Sequence, residues 1–132
     1  MADTMQFDLV SPEKKLASVE ATMVEIPGME GDMAAMPDHA PLVTTLRPGV
    51  ITVHAGGSTT EYVVTGGFAE ISSEGTTVLA EQAMDRADIT REGIEALAAE
   101  ATAGIEGADD MTTTALNQRV NDLNTLISDL GL

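Results

Sequence analysis

"VITVHAGGSTTEYVVTGGFAEISSEGTTVLA", Val50–Ala80, alternates short apolar runs with glycine-rich breaks. Val50-Ile51-Thr52-Val53, Glu61-Tyr62-Val63-Val64, Ala69-Glu70-Ile71 and Thr77-Val78-Leu79 read as strands. Ala55-Gly56-Gly57-Ser58, Gly66-Gly67 and Ser73-Glu74-Gly75 read as the turns between them. Strands and turns at this regular spacing predict an antiparallel sandwich or barrel. The same grammar holds upstream. Met5, Phe7 and Leu9 alternate with Gln6 and Asp8 before a Ser11-Pro12 stop, so one face of a first strand points inward. Val19, Ala21 and Met23 alternate with Ser18, Glu20 and Thr22, and then Val24 and Ile26 continue on the opposite parity. That slip predicts a β-bulge near Met23.

After Met84-Asp85-Arg86 the period changes. Ile94, Leu97, Ala98, Ala101 and Ile105 fall on one face of a helix. Gly107 supplies a stop, and Asp109 with Asp110 a new N-cap whose charge suits the helix dipole. Leu116, Val120, Leu123, Ile127 and Leu130 then repeat the helical spacing. Two helices joined by so short a link predict an antiparallel hairpin. Each carries a single apolar stripe, enough to close the hairpin on itself. The expected fold class is therefore an N-terminal antiparallel β-sandwich, residues 1–84, followed by a C-terminal two-helix hairpin, residues 85–132.

Composition narrows the function. The chain has 132 residues, a formal net charge of −16 and only six basic residues, which are scattered rather than gathered into a stripe. Nucleic acid and anionic membrane surfaces call for the opposite field. No run of apolar residues is long enough to span a bilayer, so direct membrane insertion is not expected. The first residues lack the basic start and apolar stretch of a signal peptide, and export is not expected either. Without cysteine the chain has no thiolate nucleophile, disulfide or sulfur-ligated metal, which fits the cytosol. Phe7, Tyr62 and Phe68 are the only aromatics, so Val, Ile, Leu, Ala and adaptable Met must build the core.

The segment Gly28–Val43 concentrates Glu30, Asp32, Asp38 and His39 with Met29, Met33 and Met36. The four polar residues are the one local set of mixed metal ligands and would serve a small metal-dependent hydrolase. A lone histidine between Asp38 and Ala40-Pro41 is more simply hydrogen-bonded to hold a turn. His54, beside Ala55-Gly56-Gly57, reads as a strand-edge residue. The only lysines, Lys14 and Lys15, lie far from any phosphate-cradling glycine loop, which argues against nucleotide hydrolysis. No metal, cofactor or catalytic residue is assigned. Of the methionines, any that stay exposed would form an adaptable apolar contact beside Asp32, as in a free-standing adaptor.

The run Gly28-x-x-Gly31-Asp32 is followed by Pro37-x-His39-Ala40-Pro41-Leu42-Val43, Leu46-Arg47-Pro48-Gly49, Gly66-Gly67-x-x-Glu70 and Val78-Leu79-Ala80-x-x-Ala83. This order closely resembles the epsilon subunit of bacterial F-type ATP synthases, whose mitochondrial counterpart is called delta. The resemblance implies a flattened β-sandwich and helical hairpin in the central stalk, without an active site. It implies that proton-driven rotation of a membrane ring is coupled through this subunit to ATP synthesis in the catalytic head. The expected location is peripheral, on the cytoplasmic face of the bacterial inner membrane.

By the same resemblance, Gly28, Met29, Glu30, Gly31, Asp32 and Met33 face the polar loops of the rotor ring of c subunits, and another part of the sandwich packs on the gamma shaft. Pro37, His39, Pro41, Gly66 and Gly67 become turn architecture. Some members of the family bind ATP through Ile/Leu-Asp-x-x-Arg-Ala in the first helix. Here the stretch reads Ile89-Thr90-Arg91-Glu92-Gly93-Ile94, with Thr for Asp, Gly for Arg and Ile for Ala, which argues against ATP binding. Inhibitory members push a basic hairpin toward acidic groups of the beta subunits. From Asp85 onward this chain has ten acids against three arginines, so weak or absent inhibition is expected.

Overall fold

The computed structural model describes residues 4–29, 31–37 and 40–132, which divide into two compact units, Met1–Arg86 and Ala87–Leu132. Ten strands form the first unit: β1 (Met5–Val10), β2 (Lys15–Ala21), β3 (Met23–Gly28), β4 (Gly31–Ala35), β5 (Leu42–Leu46), β6 (Gly49–Ala55), β7 (Ser58–Val64), β8 (Gly67–Ile71), β9 (Gly75–Ala80) and β10 (Ala83–Asp85).

Their spatial order is β10-β7-β6-β3-β5-β8-β9-β1-β2, with β4 added beside β3. The path folds into two layers because β3 and β5 share a single pairing, Gly28 with Leu46. One layer is β10-β7-β6-β3-β4 and the other β5-β8-β9-β1-β2. All the pairings are antiparallel except β1 with β9, which run parallel from Gln6–Gly75 to Val10–Leu79.

Alternation places the core. Met5, Phe7 and Leu9 of β1, Val24 and Ile26 of β3, Ile51 and Val53 of β6, Ala69 and Ile71 of β8, and Val78 of β9 are all buried in one cluster. Burying such side chains contributes about 1.5–3 kcal/mol each for the larger ones. The small number of aromatic rings is compensated by closely interleaved branched residues.

The predicted bulge near Met23 is corrected. β2 stops at Ala21 and β3 starts at Met23; the chain leaves β1's layer and joins β6's layer at Thr22. Thr22 is pinned there by two bonds to the His54 carbonyl, from its N–H at 2.7 Å and its hydroxyl at 3.0 Å. Changing layers inverts which parity faces the core, as a bulge would, so the two produce the same sequence pattern. The irregularity that does occur lies between Leu9 and Val10, opposite β2.

A turn of 3-10 helix, Arg86–Asp88, spans the boundary, and the second unit contains α1 (Arg91–Ile105) and α2 (Asp110–Asp129) packed on each other. Thr90 caps α1, its hydroxyl accepting from the Gly93 N–H at 3.1 Å. Asp109 caps α2, accepting from the Thr112 N–H at 2.7 Å. That bond, more than anything else, lowers the Asp109 pKa by stabilising the carboxylate. Ile94, Ala98 and Ala101 of α1 and Leu123, Leu126 and Ile127 of α2 are buried, along with Leu130 just beyond it. At the other end Leu116 is only partly buried, although its Cδ1 would lie 3.2 Å from a Cβ added at Gly104.

Candidate functional site

Where β3 turns into β4, Gly28 pairs directly with Gly31 and Pro27 with Asp32. The two glycines are forced by geometry. A Cβ on Gly28 would lie 2.8 Å from the Gly31 carbonyl oxygen, and Gly31 has a φ of +143°. The resulting tip is tied to the neighbouring strand by Met29 N–H donating to Thr45 O at 2.9 Å, and by Arg47 N–H donating to Pro27 O at 3.1 Å. Arg47 also donates from Nη2 to Asp32 Oδ1.

Between the tip and β5 lies an open depression of about 590 Å³, lined by Gly28, Met29, Gly31, Asp32, Met33 and Leu42 to Thr45. Met29 and Met36 are exposed, while Met33 is half-buried against the core. Five of the six residues assigned to the ring contact therefore line one concavity; Glu30 lies outside the described residues. Pro37 follows β4 and Pro41 precedes β5, and His39 also lies outside the described residues. Gly66 and Gly67, at φ of +145° and +133°, join β7 to β8.

Asp38 joins Glu30 and His39 outside the described residues, and Asp32, the remaining member of the mixed-ligand set, is engaged by Arg47. Elsewhere, His54 Nε2 lies 2.9 Å from Glu25 Oε2, and the Thr59 hydroxyl 3.4 Å from His54 Nδ1. Carboxylate, imidazole and hydroxyl are thus aligned on the strands β3, β6 and β7, but Glu25 and Thr59 are exposed, His54 is only half-buried and none lines the depression. Nothing there would exclude water or hold a substrate. Tyr62 is the one phenol; partial burial, and secondarily Asp85 opposite it in β10, raise its pKa.

The structure adds a surface that the sequence reading did not single out. Leu79 of β9 stands opposite Phe68 of β8 on one side and Val10 of β1 on the other, and Phe68 stands opposite Thr45 of β5. Facing residues in a ladder project to the same side, so these form one row across four strands, with Val43 two residues along β5. Val43 is 66%, Phe68 56% and Leu79 54% exposed. Lys15, Asp8 and Glu70 edge the row, with Lys15 Nζ 3.8 Å from Asp8 Oδ1. The signal was available: Phe68 has the opposite parity to Ala69 and Ile71 by one step, and Leu79 to Val78 and Ala80. An aromatic and a leucine at outward parity mark a contact face rather than core.

An apolar row rimmed by charge, a concave methionine-lined tip and an acidic helical hairpin suit attachment to other proteins; the class is a two-unit docking subunit. The model of the ATP synthase, Delta/Epsilon chain, beta-sandwich domain matches residues 4–86. The ATP synthase epsilon chain of Rhodobacter capsulatus is 49% identical over 132 residues, covering 100% of both chains. That of Ruegeria sp. is 61% identical over 129 residues, 98% of this chain and 88% of that one. In fold, a chain of the Euglena gracilis mitochondrial ATP synthase assembly of OSCP, F1 and c-ring aligns with a TM-score of 0.76 at 21% identity, over 98% of this chain and 83% of that one. The chain belongs to the ATP synthase delta/epsilon family. It is a non-catalytic rotor-stalk subunit of an F-type ATP synthase rather than an enzyme in its own right.

Proposed function

We propose that the β unit is a coupling block between two rotating partners: the outer row of Val10, Leu79, Phe68 and Val43 packs on the gamma shaft, and the tip from Gly28 to Met33 meets the polar loops of the c-subunit ring. In this reading proton-driven rotation of the ring reaches the catalytic head through the sandwich. The chain rides peripherally on the cytoplasmic face of the bacterial inner membrane. No helix among the described residues is long and apolar enough to cross a membrane.

The observation that carries the reading is the exposed row around Phe68 and Leu79, continuous through Val43 with the depression beside Met29. A torque-bearing joint needs broad complementary surfaces on a well-packed block, and this block offers two that meet at β5. Turn residues Gly66 and Gly67 support the row by letting β8 lie close against β9, while Pro37 and Pro41 flank the connection from β4 to β5. The beta subunits of the head are the partners that an extended hairpin would meet. The hairpin's acids oppose such a contact, so inhibition of hydrolysis is weak or lost.

The test is retention. Stalk complexes depleted of this subunit are mixed with the full chain carrying Phe68→Asp or Met29→Asp, and bound chain is measured after gel filtration. Loss of retention with each substitution, in chains that keep their native circular dichroism, is the expected result. Native retention of the Phe68→Asp chain would remove the outer row from the interface.

A further inference from the structure

We propose that Arg47 is the positioning residue of the contact tip. It commits the Asp32 carboxylate to the chain itself, so that the tip presents methionine and backbone, rather than a free acid, to whatever it meets.

The geometry of the tip leads to this. β4 pairs with β3 and with no other strand among the described residues. Its first residues, Gly31 and Asp32, are exposed and bury no apolar side chain, so packing does little to fix them. Pro27, opposite Asp32, has no N–H; its carbonyl oxygen is taken by the Arg47 N–H at 3.1 Å. The Arg47 side chain then reaches Asp32 on the far strand. One residue thus holds β3 by its main chain and β4 by its side chain.

Gly49, two residues on, leaves room for Pro27, whose Cβ would stand 2.7 Å from a Cβ added there; Arg47 Nη1 would lie 3.8 Å away, in ordinary contact. Arg47 is about one-third exposed, at 30%, against 79% for Asp32. The guanidinium is therefore partly packed and the carboxylate comes to it. An arginine fits this role because its planar, permanently charged fork donates to a carboxylate in a fixed geometry. A carboxylate engaged in this way is less available to a second partner, which must displace Arg47 to reach it.

The clamp is a property of the isolated chain; its importance for ring attachment rests on the function proposed above. The experiment separates the two. Amide hydrogen exchange is measured on the full-length chain for Met29, whose N–H bonds Thr45 O across the tip, with Ile51 in the core as reference. Arg47→Gln and Asp32→Asn should each accelerate Met29 exchange about two- to fivefold, the range of an exposed ion pair, and leave Ile51 unchanged. The double variant Arg47→Gln/Asp32→Asn should be no faster than either single one. The charge-reversed pair Arg47→Asp/Asp32→Arg should restore slow exchange, which a merely structural loss would not do. Unchanged Met29 exchange in Arg47→Gln, or additive effects without rescue, would overturn the clamp. Exchange that follows the prediction while stalk retention stays native would leave the clamp standing and count against the ring contact.

Discussion

Replacing Gly67 with alanine should unfold the β unit far more readily than the same change at Gly57, although both residues have positive φ. At Gly57 φ is +79° and nothing lies within 4 Å of an added Cβ, so the cost is conformational only. Gly67 has a φ of +133°, and its Cβ would stand 2.1 Å from the Leu79 carbonyl oxygen and 2.9 Å from Ala80 Cα. Both obstructing atoms are backbone of β9, the strand that Gly67 pairs with, so relief requires opening the ladder next to Phe68 and Leu79. Gly57→Ala should cost about 1 kcal/mol. Gly67→Ala adds a backbone collision to its strain, for about 4 kcal/mol in all. For a unit of this size that corresponds to Tm losses of roughly 4–8 °C and 16–32 °C. Tyr62 in β7 is the chain's only tyrosine and there is no tryptophan, so intrinsic fluorescence follows the β unit without interference from the helices. Equal melting of the two variants would show that β8 and β9 can separate at little cost and would refute the argument.

Three further outcomes follow from the same structure. Asp32→Lys should weaken attachment to the ring by placing a second cation against Arg47 and loosening the tip; unchanged coupled ATP synthesis and unchanged stalk retention would show that the Arg47–Asp32 pair plays no part in the attachment. Hydrolysis by the epsilon-depleted soluble head should be equal after adding back the whole chain or residues 1–86, whereas slower hydrolysis with the whole chain would refute the charge argument about the hairpin. The Asp109 cap should stabilise α2 more when ionised than when neutral. Its folded pKa is lowered, so the contribution is present above the usual carboxylate value of about 4 and is lost as pH falls through the lower folded value. Helicity of Asp109→Asn should therefore trail that of the native chain at neutral pH and converge with it in strong acid; a gap unaffected by pH would assign the effect to something other than ionisation.

Strand alternation made β1, β6, β8 and β9 legible in the sequence, because each has one face in the core and one outside, while β7 was legible as a short apolar run ending in Val63 and Val64, both buried. Helical spacing did the same for α1 and α2, down to the Asp109 cap. β4 and β5 were not legible as strands. They sit in a segment broken by glycine and proline, and most of their residues are exposed, so neither period emerges. The layer change at Thr22 was visible only as a parity slip, which cannot distinguish a bulge from a crossing. The contact tip was picked out by family resemblance, but its internal wiring was not. The Arg47 to Asp32 pair spans fifteen positions of sequence, and only the fold brings it together. The outer row was there to be read in the parity of Phe68 and Leu79, yet its continuity depends on the register of four strands.

Proton-driven ATP synthesis in membrane vesicles stripped of this subunit is the most direct test of the coupling role. Adding back the native chain should restore synthesis, while adding back the Phe68→Asp chain should not. Synthesis that proceeds equally with and without the native chain would contradict the claim that rotation reaches the catalytic head through this β unit.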